Sequence, residues 1–391
     1  MTLNRATFAE INLASFRHNL HSIKLLLGPD TRTMAIIKAD AYGHGAIQCA
    51  RAAIQEQVDY IGVGIIQEGI ELRENGITSP ILILGGIYPD EIEDLIKYNL
   101  STSLSNTVMA NAISKKAEHA NKSIGVHIKI DTGMGRLGVQ PNSFIKLMEN
   151  VITCKNLQIH GVFTHLSSAD EEDPGVTNHQ ISLFLNLLKK LSTTKFSKMT
   201  SIKKDILFHT ANTAGLIRFP ESRLNLVRPG ISLFGSFPSP TITSIFNLLA
   251  KENKTTKLRP VMSWKTKIMQ IQTLCKGVPI SYGGRYITKK SGTRIATIPV
   301  GYADGLSRHL SNNMELLVKG RRVKQVGTIC MDMCLIDITD LPGVEMGEEV
   351  VIFGNQKNSA ITVEELATKA NTIPYEILCG VGKRVPRIFI Q

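Results

Sequence analysis

A lysine closes the apolar run MAIIK (34–38), and the polar, glycine-rich segment ADAYGHG follows at once. Such a lysine can lay its stem along apolar surface and reach water with its ammonium. Partly desolvated and beside other cations, it can instead keep a neutral amine that forms a Schiff base with a carbonyl. Other short apolar runs end in comparable side chains: Lys129 with Asp131 in GVHIKID, His165 in FTHLSS, His209 in ILFHT and Arg228 in LNLVR. Singly, each is what an exposed strand end needs. Gathered at one place they make a cationic site, to which RPGIS (228–232) and the hydroxyl of ANTAG (211–215) can add N–H and O–H donors for a phosphate. Lysine and phosphate cradle together point to pyridoxal phosphate, whose aldehyde needs the amine and whose phosphate anchors it.

Something must bring these residues together. Runs rich in Ile, Val and Leu recur at 34–38, 60–64, 81–84, 101–104, 125–131, 158–164, 206–209 and 224–228, and stretches with helical spacing or composition lie between them at 46–57, 67–75, 89–98, 106–119, 141–153, 175–192 and 211–218. Near-continuous apolar strands alternating with helices are the mark of parallel βαβ units. Eight units predict an α/β chain with an N-terminal (β/α)₈ TIM barrel, whose site lies at the C-terminal strand ends. An open doubly wound sheet is the alternative, but no G-x-G-x-x-G follows the first run. The stretch 193–205 has no apolar period and reads as a surface loop, and 236–258 reads as the last barrel helix and a linker. From about 259 the pattern becomes alternation broken by Gly, Pro, Asn and Asp turns, which predicts a mainly antiparallel β domain. The expected organisation is an N-terminal strand over 1–11 joining the β domain, a cofactor-binding barrel over 12–250 and the β domain over 251–391.

Composition narrows the class. With 391 residues, 43% hydrophobic and 20% charged, the chain is globular rather than disordered. No run approaches 18 apolar residues, and Glu10 interrupts the first segment before any apolar core forms, so neither a membrane span nor a secretory signal is expected and the cytoplasm is the expected location. Six scattered cysteines without a C-x-x-C pair fit reduced thiols; Cys330 and Cys334 lack a second pair, so no metal is expected. The net charge of +12 peaks at KGRRVK (319–324), but dispersed lysine pairs and 6% aromatic content favour solvated surface over nucleic-acid binding.

Nine motifs then carry a resemblance. IKADAYGHG, KIDTGMGRLG, THLSSAD, HTANTAGL and VRPGISLFG are followed by SYGGRY, IPVGYADG, GTICMDM and PYEILCG, in the order found in bacterial alanine racemases, which the chain resembles over nearly its whole length. The resemblance implies an isomerase that interconverts L- and D-alanine through a pyridoxal phosphate aldimine by two bases, supplying D-alanine for peptidoglycan. It implies that Lys38 carries the cofactor and is one base; that Tyr42, Thr213, Gly230, Ile231 and Tyr375 bind the phosphate; and that Arg228 faces the pyridine nitrogen. His165 would link Arg228 toward the second base, and Arg136 would sit near the ring oxygen and substrate, positioned by Lys129, a candidate for carbamylation. The second base would be Tyr282, given by the partner in a head-to-tail homodimer with shared active sites; Met331, Asp332 and Tyr302 would also come from the partner, toward the substrate carboxylate and the entrance. Thr213 stands where serine is commoner, and Pro374 where asparagine is usual, removing an N–H and stiffening a loop at the aperture. Other readings are a broad-specificity or serine-preferring racemase and a non-enzymatic cofactor-binding protein, the latter disfavoured by the second domain. A fold-related decarboxylase would place glutamate where Arg228 stands.

Overall fold

The segments without a polar face are the ones buried on both sides. In the computed structural model, which describes residues 5–192, 206–252 and 256–391, Met34, Ala35, Ile36 and Ile37 are all buried, as are Ile81, Leu82 and Ile83. The predicted loop 193–205 lies outside the described residues. After a first strand, β1 (Phe8–Asn12), come β2 (Arg32–Ile36), β3 (Tyr60–Val63), β4 (Ile81–Ile83), β5 (Ser101–Leu104), β6 (Ile124–Lys129), β7 (Leu157–Phe163), β8 (Leu207–His209) and β9 (Leu226–Val227). Strands β2 to β9 form one eight-stranded parallel sheet in the order β8-β7-β6-β5-β4-β3-β2-β9. The chain is a (β/α)₈ barrel with a sheet domain behind it.

The seam between β8 and β9 has no strand ladder. A side chain bridges it: the Phe208 N–H donates to Asn225 Oδ1 (2.6 Å), and Asn225 Nδ2 donates to the Ile206 carbonyl (2.8 Å). Helices with one apolar face cover the outside. The first, α1 (Leu13–Leu27), is capped by Asn12, whose side chain accepts from the Ser15 N–H, and it buries Phe16, Leu20 and Ile23 at helical spacing. Next come α2 (Lys38–Gly43), a turn of opposite hand, then α3 (Ala46–Gln55) and α4 (Ile66–Glu74). No helix among the described residues is long and apolar enough to cross a membrane.

Strand β1 lies outside the barrel, in the second sheet. It pairs antiparallel with β10 (Met262–Lys267), Ala9 opposite Trp264, and parallel with Arg387–Ile390, Ile11 opposite Phe389. The remaining strands of this second sheet pair antiparallel, as their alternation predicts. Two helices interrupt the β texture, Val363–Ala370, capped by Thr362, and Pro374–Gly380. Here the sequence expectation needs correcting: Pro374 does not stiffen a loop but opens a helix at its first position, where the missing N–H has no intrahelical partner to lose.

Candidate active site

The lysine's setting is more unusual than a strand end. Strand β2 stops at Ile36, and after Lys38 four consecutive L-residues, Ala39 to Tyr42, hold φ between 52° and 55°. Left-handed helical backbone costs roughly 1–2 kcal/mol per residue, so the surroundings must hold the turn in place. Several contacts do. The Ala41 N–H donates to the Ile37 carbonyl (2.8 Å), and the Ala46 N–H to Asp40 Oδ1 (2.6 Å). His44 donates from Nδ1 to the Ala41 and Tyr42 carbonyls, 2.9 Å each, and stacks on Phe234. Glu68 accepts the Ala39 N–H at 2.5 Å. At the far end Arg387 donates from Nε to the Gly43 carbonyl (3.0 Å), and a Cβ on Gly43 would meet the Leu378 carbonyl oxygen at 2.5 Å, so only glycine lets the helix Pro374–Gly380 dock there.

Above this turn the barrel mouth opens into a cavity of about 760 Å³. Lys38, Lys129, Arg136 and Arg228 all line it, and among the described residues no Asp or Glu does. Crowded cations disfavour one another's charge. Dense protein around Lys38 desolvates its ammonium and Arg136 repels it, so its pKa falls below the usual lysine value. Burial, then Arg136, Arg228 and Lys38, pull Lys129 down to about 8. Arg136 follows a loop shaped by Asp131, whose Oδ1 accepts the N–H groups of Gly133, Met134 and Gly135. His165 lines the cavity and is held neutral by burial and by Arg228.

Arg228 is buried and fully engaged at its tip. One terminal nitrogen donates to His209 Nδ1 (2.6 Å) and the His209 carbonyl (2.8 Å), the other to the carbonyls of Thr164 (2.7 Å) and Thr210 (2.9 Å). All four terminal N–H groups are thereby used, leaving Nε–H without a protein partner among the described residues. Arginine only donates, so His209 Nδ1 must accept, and its proton sits on Nε2, which donates to His127 Nδ1 (2.9 Å). One expectation changes here: His209 lies behind Arg228, as its hydrogen-bond partner, rather than at the mouth. Burial lowers Arg228 to about 9, which leaves it protonated at neutral pH.

Tyr42, Thr213, Gly230, Ile231 and Tyr375 line one end of the cavity. The Gly230 N–H donates to Thr213 Oγ1 (3.0 Å), and a Cβ on Gly230 would approach the Tyr42 hydroxyl to 2.6 Å, so this end is built of hydroxyls and bare backbone. Burial pushes the Tyr42 hydroxyl well above its ordinary pKa, which keeps it a donor. Donors of this kind beside four cations fit a dianionic phosphate on an aldehyde-bearing cofactor. Among the described residues no cluster of His, Cys, Asp or Glu is arranged to hold a metal.

Tyr282, Tyr302, Met331 and Asp332 stand apart from the cavity. Tyr282 is 73% exposed, Tyr302 43% and Met331 52%. They form a second cluster: Thr328 donates to the Tyr282 carbonyl (2.9 Å), the Tyr302 N–H to the Cys330 carbonyl (3.0 Å), and Arg384 pairs with Asp332 (2.7 Å). Sequence reasoning missed Glu68, His44, His127 and the cavity's apolar wall of Leu84, Leu137 and Phe163. Only Glu68 had a readable signal, as a glutamate in the first turn of a helix.

A parallel barrel whose mouth holds a lysine of lowered pKa, an end lined by hydroxyls and bare backbone, and a buried arginine has the residues that a barrel-type pyridoxal phosphate enzyme needs. Comparison with known proteins narrows this. Residues 11–238 match the family model "Alanine racemase, N-terminal domain" and residues 261–389 match "Alanine racemase, C-terminal domain". Alanine racemase 2 of Caldanaerobacter subterraneus subsp. tengcongensis is 39% identical over 387 residues, which is 99% of this chain and 95% of the relative. The solved alanine racemase of Clostridium difficile 630 is 37% identical with a TM-score of 0.89, covering 100% of this chain and 97% of that one. The Bacillus anthracis alanine racemase solved with bound L-Ala-P is 32% identical with a TM-score of 0.89, covering 100% and 96%. The chain belongs to the alanine racemase family. It is an isomerase that works with pyridoxal phosphate.

Proposed function

We propose that Lys38 and Tyr282 are the two bases with which this enzyme racemises alanine, and that a second copy of the chain completes each active site. The carrying observation is a mismatch: Lys38 lines a deep cavity, whereas Tyr282 is exposed on a cluster that lines none of it. Racemisation removes a proton from one face of Cα and returns one to the other, so a single amine serves half the reaction. Pyridoxal phosphate, when bound, acidifies that Cα–H by accepting its electrons. Lys38, with its lowered pKa, exchanges the proton on one face, and the partner subunit's Tyr282 does so on the opposite face.

Tyr42, Thr213, Tyr375 and the backbone at Gly230 and Ile231 would hold the phosphate. Arg228 has Nε–H to offer the pyridine nitrogen and keeps its proton at neutral pH, so it bonds the ring without protonating it and limits side reactions that need a stronger electron sink. Arg136 serves the ring oxygen and substrate, with His165 as a neutral neighbour; the partner's Met331 and Asp332 meet the substrate carboxylate, and the partner's Tyr302 narrows the entrance. Family membership supports a cytoplasmic enzyme whose D-alanine enters peptidoglycan.

Mixing inactive variants tests the shared site. Lys38→Ala and Tyr282→Phe dimers, each nearly inactive, are dissociated, mixed equally and reassociated. Half of random dimers are hybrids with one intact site, so about a quarter of wild-type activity returns. No recovery, with hybrid dimers shown to form, counts against the shared site.

Lys129 carries a further expectation. Its neighbour Arg136 repels it as an ammonium and would attract it as a carbamate, formed when the neutral amine adds to CO₂ with loss of one proton. Since Lys129 is neutral only above about pH 8, the carbamate declines as pH falls toward 6. Carbon-13 NMR with labelled bicarbonate should show one protein carbamate signal with this pH dependence, absent in Lys129→Ala, whose turnover falls about tenfold. An identical signal in Lys129→Ala would refute it.

A further inference from the structure

We infer that Glu68 is a positioning residue for Lys38: its carboxylate staples the left-handed turn bearing the lysine to the end of the neighbouring strand. The inference rests on the reading of Lys38 as a base. Glu68 lies in the first turn of α4, where a glutamate ordinarily satisfies the N–H groups of its own helix start. It does so here through one oxygen only, with Oε2 accepting the N–H groups of Gly64 (2.7 Å) and Ile65 (3.3 Å). The other oxygen crosses to a different βα unit and takes the Ala39 N–H at 2.5 Å. Ala39 is the residue after Lys38 and the first of the four left-handed residues. The staple therefore acts where the chain reverses its hand.

Local packing fits this role. A Cβ on Gly64 would lie 3.3 Å from Glu68 Oε2 and 3.6 Å from Lys38 Cβ, so the carboxylate and the lysine stem flank one bare glycine. Turn Lys38–Gly43 is thus fastened by Glu68 from the barrel at its start and by Arg387 from the second sheet at its end. Only a carboxylate presents acceptors on both sides. Glutamine keeps one oxygen and turns an NH₂ donor toward the remaining N–H. At Lys38 the negative charge of Glu68 favours the ammonium, against the positive charge of Arg136, which disfavours it.

The test is hydrogen–deuterium exchange by mass spectrometry on the cofactor-loaded enzyme, comparing wild type, Glu68→Gln and, as a control on the same helix, Gln67→Ala. In wild type, peptides covering 37–45 are expected to be as protected as the barrel strands. In Glu68→Gln their exchange rises about tenfold or more while peptides from β6 and β7 do not change, and kcat falls about 10- to 100-fold with KM within about twofold. Gln67→Ala changes neither. Unchanged protection of 37–45 in Glu68→Gln overturns the inference, as does lost protection with unchanged kcat. A kcat loss matched by deprotection of the whole barrel makes Glu68 merely structural, which also overturns it. Should Glu68→Gln not fold, wild type decides: residues 39–41 exchanging as fast as exposed loops would end the proposal. Lys38's own role is read separately from Lys38→Ala, whose outcome the exchange of 37–45 does not depend on.

Discussion

With Lys38 replaced by alanine, the purified enzyme shows no visible absorbance from lysine-bound cofactor and racemises alanine on the order of 10⁴-fold more slowly, or worse. The size of the effect follows from two losses at one atom, the covalent attachment point and the base on one face. The other cavity lysine is not a substitute. Lys129 points its Nζ toward the Leu84 carbonyl at 3.4 Å and is fixed on β6, several strands away around the barrel. The fold should survive, because Lys38 opens onto the cavity and the turn is held by backbone and by Glu68, Asp40, His44 and Arg387 rather than by the lysine side chain. Absorbance spectra, chiral chromatography and a melting curve measure the three parts. Retained absorbance with a native melting curve would move the attachment point to another residue.

Tyr282→Phe should behave differently. It keeps the cofactor absorbance, because Tyr282 lines no part of the cavity in its own subunit, and it keeps stability within about 0.5 kcal/mol, as expected of an exposed side chain. Racemisation falls roughly 10³-fold, the range for removal of a positioned acid–base group. The diagnostic feature is asymmetry. In deuterated water, Lys38 still exchanges the Cα proton of one enantiomer, while the other enantiomer loses exchange. Proton NMR of each pure enantiomer reads this directly. Unchanged racemisation in both directions would remove Tyr282 from the mechanism; an equal loss of exchange for both enantiomers would give it a role in binding.

The barrel was legible because burial on both faces leaves each strand a run of Ile, Val and Leu, and the strand ends were legible because a mouth needs polar residues. Lys129 and Arg228 were found that way. The left-handed turn was not, because Ala and Tyr disfavour positive φ, Asp40 alone visits it readily, and the turn is imposed by Glu68, His44 and Arg387, the last distant in sequence. His209 was read as a mouth residue because a strand-end histidine in sequence has no depth. Its ring in fact lies flat against Phe163, 4.7 Å between centroids, inside the barrel. The helix at Pro374 was hidden behind a residue that usually breaks helices. Tyr282 lines no part of its own subunit's cavity, and the role proposed for it was legible in the SYGG motif alone.

The four anchors of Arg228 have an evolutionary consequence. On the proposed assignment, in which Arg228 meets the ring nitrogen, a carboxylate at this position would instead hold that nitrogen protonated and open other reactions on the same scaffold. Here a carboxylate would face three carbonyl oxygens and the lone pair of His209 Nδ1, all of them acceptors. A single substitution would remove the donors of three buried carbonyls, so it would be costly unless the neighbouring hydrogen bonds rearranged with it. On that assignment, reaction choice in this barrel is guarded by the wall behind the arginine as much as by the arginine itself, and a change of chemistry requires changes in both.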